Sequence, residues 1–515
     1  MGAASGRFLG AASLMAGLTL VSRLLGLVRE SLLSYYFGTS ELLSAFRIAF
    51  QAPNLARRLF GEGALSSAMV PVLTRTLKER GEYESRRLVG STLTATFLTL
   101  SILLVLVEMV IGVWRWVHDD PALRLTAIMM PYMVLICIAA VASGVLNVRE
   151  HFAVPAAAPT ILNVAMIVSL FLGGAAGLDA VALMDWNCAS VLVAGVVQMV
   201  ATGVALHMVG FFPVWGRAWR DPQLRAIIAL MAPMALGLSA VQINTLFDSL
   251  IAYVFVIDEK GERVGAAVLG YAQFLYQLPL GVFGISLATA LFPVLSRKAA
   301  EGDRAGMADV FERGVRAGQF IALPSAIGLI FIATPLVATL YEHGGEFDAR
   351  STQRVSAALI FYSLGIPAYF FQHVLVRTYY ALHDSRKPAT IAVCMVAFNL
   401  SLNLMLVFIM EEAGLALSTS ISATVQACWL AYGLRKLFPE LAWRRLRSPL
   451  IRLMLAAACM AVVLVAVAGV GESMHWHKAF RLMSMLGTGV AAYFLAAWLL
   501  RVEELRSALQ RRRPF

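Results

Sequence analysis

Charge is what this chain has least of. Only 14% of its 515 residues are Asp, Glu, Lys or Arg and 59% are hydrophobic, where soluble domains carry roughly 25% charged residues. A mean hydropathy of +0.75 excludes an ordinary water-soluble globule and leaves a polytopic membrane protein. The groupings that mark catalysis are missing as well. No Ser/His/Asp arrangement or pair of carboxylates suggests catalysis, and there is no P-loop or phosphate-cradling glycine loop. Cysteine is scarce. Cys137, Cys188, Cys394, Cys428 and Cys459 form no CxxC and pair with no histidine at metal spacing, so they read as small packing residues. The formal charge of +11 requires no nucleic-acid partner, because the basic residues sit in short loops between apolar runs.

What is present is a succession of apolar runs. At about 20 apolar residues per crossing, about fourteen spans follow, near 8–36, 42–74, 88–113, 123–146, 157–175, 184–208, 225–256, 265–296, 315–340, 353–382, 388–410, 413–434, 450–470 and 479–500. Arg7 alone precedes the first run and no small-residue cleavage site follows it, so the first helix is expected to be retained. Alternate loops hold most of the basic residues, among them Lys78, Arg80, Arg86, Arg87, Arg297, Lys298, Arg444, Arg445 and Arg511 to Arg513. The opposite loops carry Asp119, Asp120, Asp258, Glu259, Glu342, Glu411 and Glu412. This asymmetry places both termini in the cytoplasm.

An internal repeat is visible. Ala68-Met-Val-Pro-Val-Leu-Thr-Arg75 ends the second span, and Ala290-Leu-Phe-Pro-Val-Leu-Ser-Arg297 ends the eighth. Pro155-Ala after the fourth span is echoed by Pro388-Ala after the tenth. An offset of an even number of spans makes the repeat parallel, as in transporters that rock two halves around a central site.

The stretch from Thr19 to Arg75 carries the most informative charges: Arg23, Arg29, Glu30, Arg47, Arg57, Arg58 and Glu62. One arginine at a bilayer centre costs roughly 2.5–3.5 kcal/mol on insertion scales, so several in two successive spans imply a wet cavity or an anionic ligand. Arg23 and Arg29 lie about 240° apart on a straight helix. Gly26 between them is therefore expected to bend the helix and turn both toward one cavity, and Pro53-Asn54 offers a similar break before Arg57. Guanidinium is the natural partner of phosphate, since it donates two parallel hydrogen bonds and never loses its charge. For Arg58 and Arg75 the blander reading, snorkelling to headgroups, is preferred.

A second set of polar residues lies in later spans. Asp248 sits deep in the seventh, with Gln242 and Asn244 before it; Asn399 and Asn403 share a face of the eleventh, and Thr419 lies in the twelfth. Their oxygens suit a hard cation such as sodium, or Asp248 exchanges a proton; interhelical hydrogen bonding is the competing explanation. No other metal is indicated.

The ordered motifs now point to a family. Val21-Ser-Arg-Leu-Leu-Gly-Leu-Val-Arg-Glu30, Ala45-Phe-Arg-Ile-Ala-Phe-Gln-Ala-Pro-Asn-Leu-Ala-Arg-Arg58 and Phe60-Gly-Glu-Gly-Ala-Leu-Ser-Ser-Ala-Met-Val-Pro71 resemble the MurJ/MviN lipid II flippase family of the MOP exporter superfamily. So do Gln277-Leu-Pro-Leu-Gly-Val-Phe-Gly-Ile-Ser-Leu-Ala-Thr-Ala290 and Ala413-Gly-Leu-Ala-Leu-Ser-Thr-Ser420. The resemblance implies an all-α integral membrane fold. Two six-helix lobes form the parallel pseudo-repeat (1–220 and 221–440), and two extra C-terminal helices with a basic tail (441–515) make a lipid-facing groove.

The resemblance also implies a function without cofactors or an enzymatic step. The undecaprenyl-pyrophosphate-linked glycopeptide precursor of peptidoglycan is moved from the inner to the outer leaflet of the bacterial inner membrane by alternating access. It is driven by sodium, protons or the membrane potential, and membrane lipids and cell-wall synthesis proteins are the further partners. Arg23, Arg29 and Arg57 fall on the family's functional arginines, and Arg47, Asn54, Glu62 and Gln277 complete the expected substrate set. Three departures stand out. Gln273-Phe274 replaces a typical Asp-Arg, Ser44 replaces an acidic residue, and Gln51 stands where a lysine can occur. Arg47, one turn before Gln51, returns a positive charge to that face. The alternatives are export of another lipid-linked saccharide or amphiphile, and a non-transporting cell-wall scaffold.

Overall fold

The computed structural model describes residues 2–58, 64–215, 221–441 and 443–509. It is built from helices, with one isolated antiparallel bridge, Ile257 to Arg263. Ten helices among the described residues are long and apolar enough to cross a membrane. Their outward faces are apolar, with Val462 and Phe408 each 71% exposed and Ile409 74%, as contact with hydrocarbon requires. The chain divides into two compact units, Met1–Leu246 and Phe247–Phe515, with the boundary inside a helix.

The first unit contains α1 (Gly2–Phe37), α2 (Glu41–Ala56), α3 (Ala64–Arg115), α4 (Pro121–Met129), α5 (Tyr132–Val148), α6 (Ala153–Ala175), α7 (Ala180–Met208) and the start of α8 (Pro222–Phe255). Short polar signals set the boundaries. Gly38, at φ 54°, closes α1, and Ser40 caps α2 by accepting from the Leu43 amide at 3.4 Å. Asp120 caps α4 just before a proline at the first helical position, and Asp179 caps α7. Within α3, Gly81 has φ 81° and ψ −173°, so two helices meet there; this turn lies in the loop expected at 75–87. Met69, Leu88, Val89, Val145, Leu206 and Ile227 form the apolar core beneath it.

The second unit contains the rest of α8, then α9 (Gly265–Pro279), a π-helical turn (Leu280–Gly284), α10 (Ile285–Ala300), α11 (Arg304–Tyr341), α12 (Ala349–Leu364), α13 (Ile366–Ala381) and α14 (Arg386–Leu437). After these come α15 (Trp443–Ser473), α16 (Lys478–Leu499) and the short α17 (Glu503–Leu509). One core joins Leu291, Phe311, Val374, Tyr379 and Leu430, and another packs α15 and α16 against α11 through Ile332, Leu453, Leu464 and Met485. The Arg316 guanidinium also reaches Glu504 at 2.6 Å, pairing α17 with α11.

Corresponding places in the two units share backbone features. The fourth span, between α4 and α5 at Met130–Pro131, and the tenth, between α12 and α13 at Gly365, each carry an irregular turn whose residues keep right-handed helical angles, and each runs as one span, Pro121–Val148 and Ala349–Ala381, as expected. Non-glycine residues adopt positive φ at Glu150 (59°) and His383 (60°), each five residues before the prolines Pro155 and Pro388. Pro71 and Pro293 of the repeated octapeptide both lie inside helices. The hairpin after α6 turns at Gly177, φ 70°. The corresponding turn inside α14 falls on Glu411, φ 50° and ψ −133°, a geometry costing a non-glycine residue roughly 1–3 kcal/mol.

Candidate functional site

In the first unit, α1 runs through Gly26 without a non-helical residue and packs along α6, so the glycine does not interrupt the helix. The surroundings of Arg23 and Arg29 differ. Arg29 Nη2 lies 2.6 Å from Glu30 Oε1, while its Nη1 donates to Asn163 Oδ1 of α6 at 2.9 Å. Asn163 in turn donates to the Ser22 carbonyl at 2.9 Å, so one amide fixes both the helix and the guanidinium. Arg47 of α2 donates to Glu30 Oε1 at 3.2 Å and to the other carboxylate oxygen as well.

Glu30 is 1% exposed. A carboxylate this deep is tolerable only because two guanidiniums neutralise it. The group therefore carries two positive charges against one negative. Arg23 is half-buried, and its Nε has no hydrogen-bond partner among the described residues. Arg29 and Arg47 were both among the expected substrate residues, but the bridge between them through Glu30 and the anchor at Asn163 were not anticipated. The one asparagine of α6 is the signal that could have pointed there.

Farther along α2, Arg57 Nε and Nη2 both donate to Asn54 Oδ1, at 3.0 and 2.8 Å. The two expected residues are thus brought together, with α2 continuing as helix through the buried Pro53 to Ala56. Glu62 lies outside the described residues. Arg58 is exposed, and Arg75 pairs with Glu79 at 2.9 Å on the surface.

The second unit gathers a different set. Asp248 is 2% exposed, Asn399 1%, Asn403 0% and Thr419 8%. Asn403 Nδ2 donates to Asp248 Oδ1 at 2.5 Å and to Asn399 Oδ1 at 3.0 Å, and Thr419 Oγ1 donates to Asp248 Oδ2 at 3.3 Å. Ser418, absent from the expected set, donates to Asn403 Oδ1. All four expected residues therefore meet, drawn from α8 and from both halves of α14. The cluster offers carboxylate, amide and hydroxyl oxygens, the donor set of a hard cation. Among the described residues no group of three His, Cys, Asp or Glu side chains is placed to hold a metal.

Where the family pattern has Asp-Arg, this unit is neutral. Gln273 Nε2 donates to the Tyr362 hydroxyl at 3.0 Å, Tyr362 stacks on Tyr276 with centroids 4.7 Å apart, and Phe274 is half-buried. Gln277 is exposed beyond this stack.

Comparison with known proteins agrees with these features. The family model described as lipid II flippase MurJ matches residues 33–490. A lipid II flippase MurJ of Burkholderia cenocepacia is 33% identical over 439 residues, covering 82% of this chain and 83% of that protein. The solved structure of a lipid II flippase MurJ in an inward closed conformation superposes with a TM-score of 0.78 at 24% identity, covering 95% of this chain and 99% of the other. An inward-facing multidrug resistance MATE transporter of the MOP superfamily shares the fold with a TM-score of 0.67 at 15% identity, over 82% of this chain and 95% of that one.

Proposed function

The chain belongs to the lipid II flippase MurJ family, and we propose that it moves lipid II, the undecaprenyl-pyrophosphate-linked peptidoglycan precursor, from the inner to the outer leaflet of a bacterial inner membrane. The observation that carries this reading is the pair of guanidiniums in the first unit, Arg29 of α1 and Arg47 of α2, that share one buried carboxylate; one turn or more before Arg29 on α1, Arg23 has no partner at Nε among the described residues. An anion is the ligand such a group lacks. Arg23 makes the first contact with the pyrophosphate. Glu30 keeps Arg29 and Arg47 in place until the phosphate oxygens take over their hydrogen bonds, which are of the strong charge-assisted kind. Arg57, oriented by Asn54, supplies a further guanidinium, with Glu62 and Gln277 as the remaining expected contacts.

The chain passes the membrane about fourteen times, with both termini in the cytoplasm. Three considerations support the count. The 52-residue α14 holds two helices joined at Glu411, and α1 and α8 are each long enough to cross at 36 and 34 residues. Glu41–Ala56 of α2 and the part of α3 before Gly81 are counted together as the second span. Spans one to six and seven to twelve form the two lobes, and α15 and α16 are the extra pair along which the lipid tail stays in the bilayer.

No chemical step and no cofactor enter the proposal. The two states exchange by alternating access, coupled through Asp248, Asn399, Asn403 and Thr419 to sodium or a proton, or driven by the membrane potential, where one charge crossing 100 mV is worth about 2.3 kcal/mol. Cell-wall synthesis proteins are the expected neighbours. A second reading, export of another lipid-linked saccharide, is favoured by the neutral Gln273-Phe274 in place of the family's Asp-Arg.

The test is complementation. Expression in a strain depleted of its own lipid II flippase restores growth, and Arg23→Ala at equal protein level does not. Growth equal to wild type with the alanine variant, or no growth with the wild type, overturns the reading.

A further inference from the structure

The turn inside α14 separates the two halves of the cation-type cluster. Asn399 and Asn403 precede it, Ser418 and Thr419 follow it, and Glu411 at φ 50° makes it. In the first unit the corresponding turn uses a glycine, Gly177, so a glutamate is retained here despite the backbone it must adopt. Its side chain and that of its neighbour have a common partner. Arg354 of α12 donates from Nε to Glu412 Oε1 and from Nη2 to Glu412 Oε2, each at 2.7 Å, and Nη2 also reaches Glu411 Oε2 at 2.7 Å.

This fork is sheltered: Arg354 is 15% exposed and Glu412 5%. Bidentate guanidinium–carboxylate geometry fixes direction as well as distance. Close packing continues below it, because a Cβ on Gly414 would collide with the Leu406 carbonyl of the other half. The two halves are thus held in one relation at the turn, and that relation sets the separation of Asn403 from Thr419 around Asp248. Thr352, on the same helix as Arg354, is itself tied to Glu342 Oε2 at 2.7 Å, so the clamp rests on an anchored element.

We propose that Arg354 is a positioning residue for cation binding at Asp248: through Glu411 and Glu412 it holds Asn403 and Thr419 at the spacing a small hard cation needs, without touching the cation. This rests on the reading of the Asp248 cluster as a cation site. The Arg354 guanidinium acts only through the turn, so its loss weakens binding but leaves every oxygen donor in the chain.

The experiment measures thermal unfolding of the purified full-length protein in nanodiscs across a sodium chloride series, against choline chloride at equal ionic strength. Wild type shows a sodium-specific rise in midpoint, and Asp248→Asn shows none. Arg354→Gln needs about tenfold more sodium for half the rise, within the usual range of coupling between sites, yet reaches the same plateau. The charge-swapped pair Arg354→Glu with Glu412→Arg recovers the wild-type requirement. If Arg354→Gln does not fold, Arg354→Lys, which keeps the charge and loses the fork, carries the test with the same criterion.

A sodium requirement within twofold of wild type in the variant that folds, with wild type sodium-dependent, overturns the positioning role while leaving the cation site standing. An absence of any sodium-specific rise in wild type overturns the cation reading, and the proposal with it.

Discussion

The two units share turns and a proline-bearing octapeptide, yet their interiors hold opposite chemistry. In the first, a buried carboxylate, Glu30, serves two guanidiniums, and Arg23 lies earlier on the same helix as Arg29. In the second, the buried carboxylate Asp248 meets an amide and a hydroxyl, and Gln273-Phe274 stands where the family pattern has Asp-Arg. Duplicated backbone therefore does not fix what a lobe binds. A net-positive interior suits an anion and a net-negative one suits a cation.

The contrast is broken most severely at Glu30. Glu30→Gln leaves Arg29 and Arg47 buried without a counter-charge, so stability falls by roughly 3–5 kcal/mol, read as denaturant or thermal unfolding in detergent. Adding Arg47→Gln recovers part of the loss, and a variant as stable as wild type would show that the pair is not electrostatically needed. Next in size is Asn163→Ala, which removes the hydrogen bonds to Arg29 and to the Ser22 carbonyl. Its expected cost is about 1–3 kcal/mol, with transport reduced because Arg29 is no longer aimed.

Asp248→Asn sharpens the other side of the comparison. An amide retains most of the shape and one acceptor oxygen, so the fold persists while ion dependence of transport disappears; unchanged ion dependence would remove the distinction between the units. The smallest effect belongs to Asp303, outside the spans. A hydrogen bond from Lys298 first, and then one from the Gly306 amide, holds its carboxyl below the ordinary aspartate range. A lowered folded value stabilises above the unfolded value, near about 3.9, and the gain is lost as pH falls through the folded one. The midpoint difference between wild type and Asp303→Asn accordingly shrinks from pH 7 to pH 3.

Much of this was legible in the residues, and the rest was not for identifiable reasons. Apolar runs mark the spans, and the turns at Gly81 and Glu411 lie in the expected loops. The i,i+4 spacing of Asn399 and Asn403 placed both on the face that meets Asp248. Gly26 does not interrupt α1, because glycine permits a break in a helix without causing one. Asn163 lies 134 positions from Arg29, and Arg354 lies 58 from Glu412. Helical periodicity carries no information over such distances, so both partnerships emerge only from tertiary contact.

The most direct test of the anion-binding interior is flipping of lipid II in proteoliposomes by wild type and Arg23→Ala. Arg23 has no partner at Nε among the described residues, so the account predicts equal thermal stability and a flipping rate about 10- to 100-fold lower in the variant, the worth of one charge-assisted hydrogen bond. Wild-type flipping rates from a well-folded Arg23→Ala protein would contradict it.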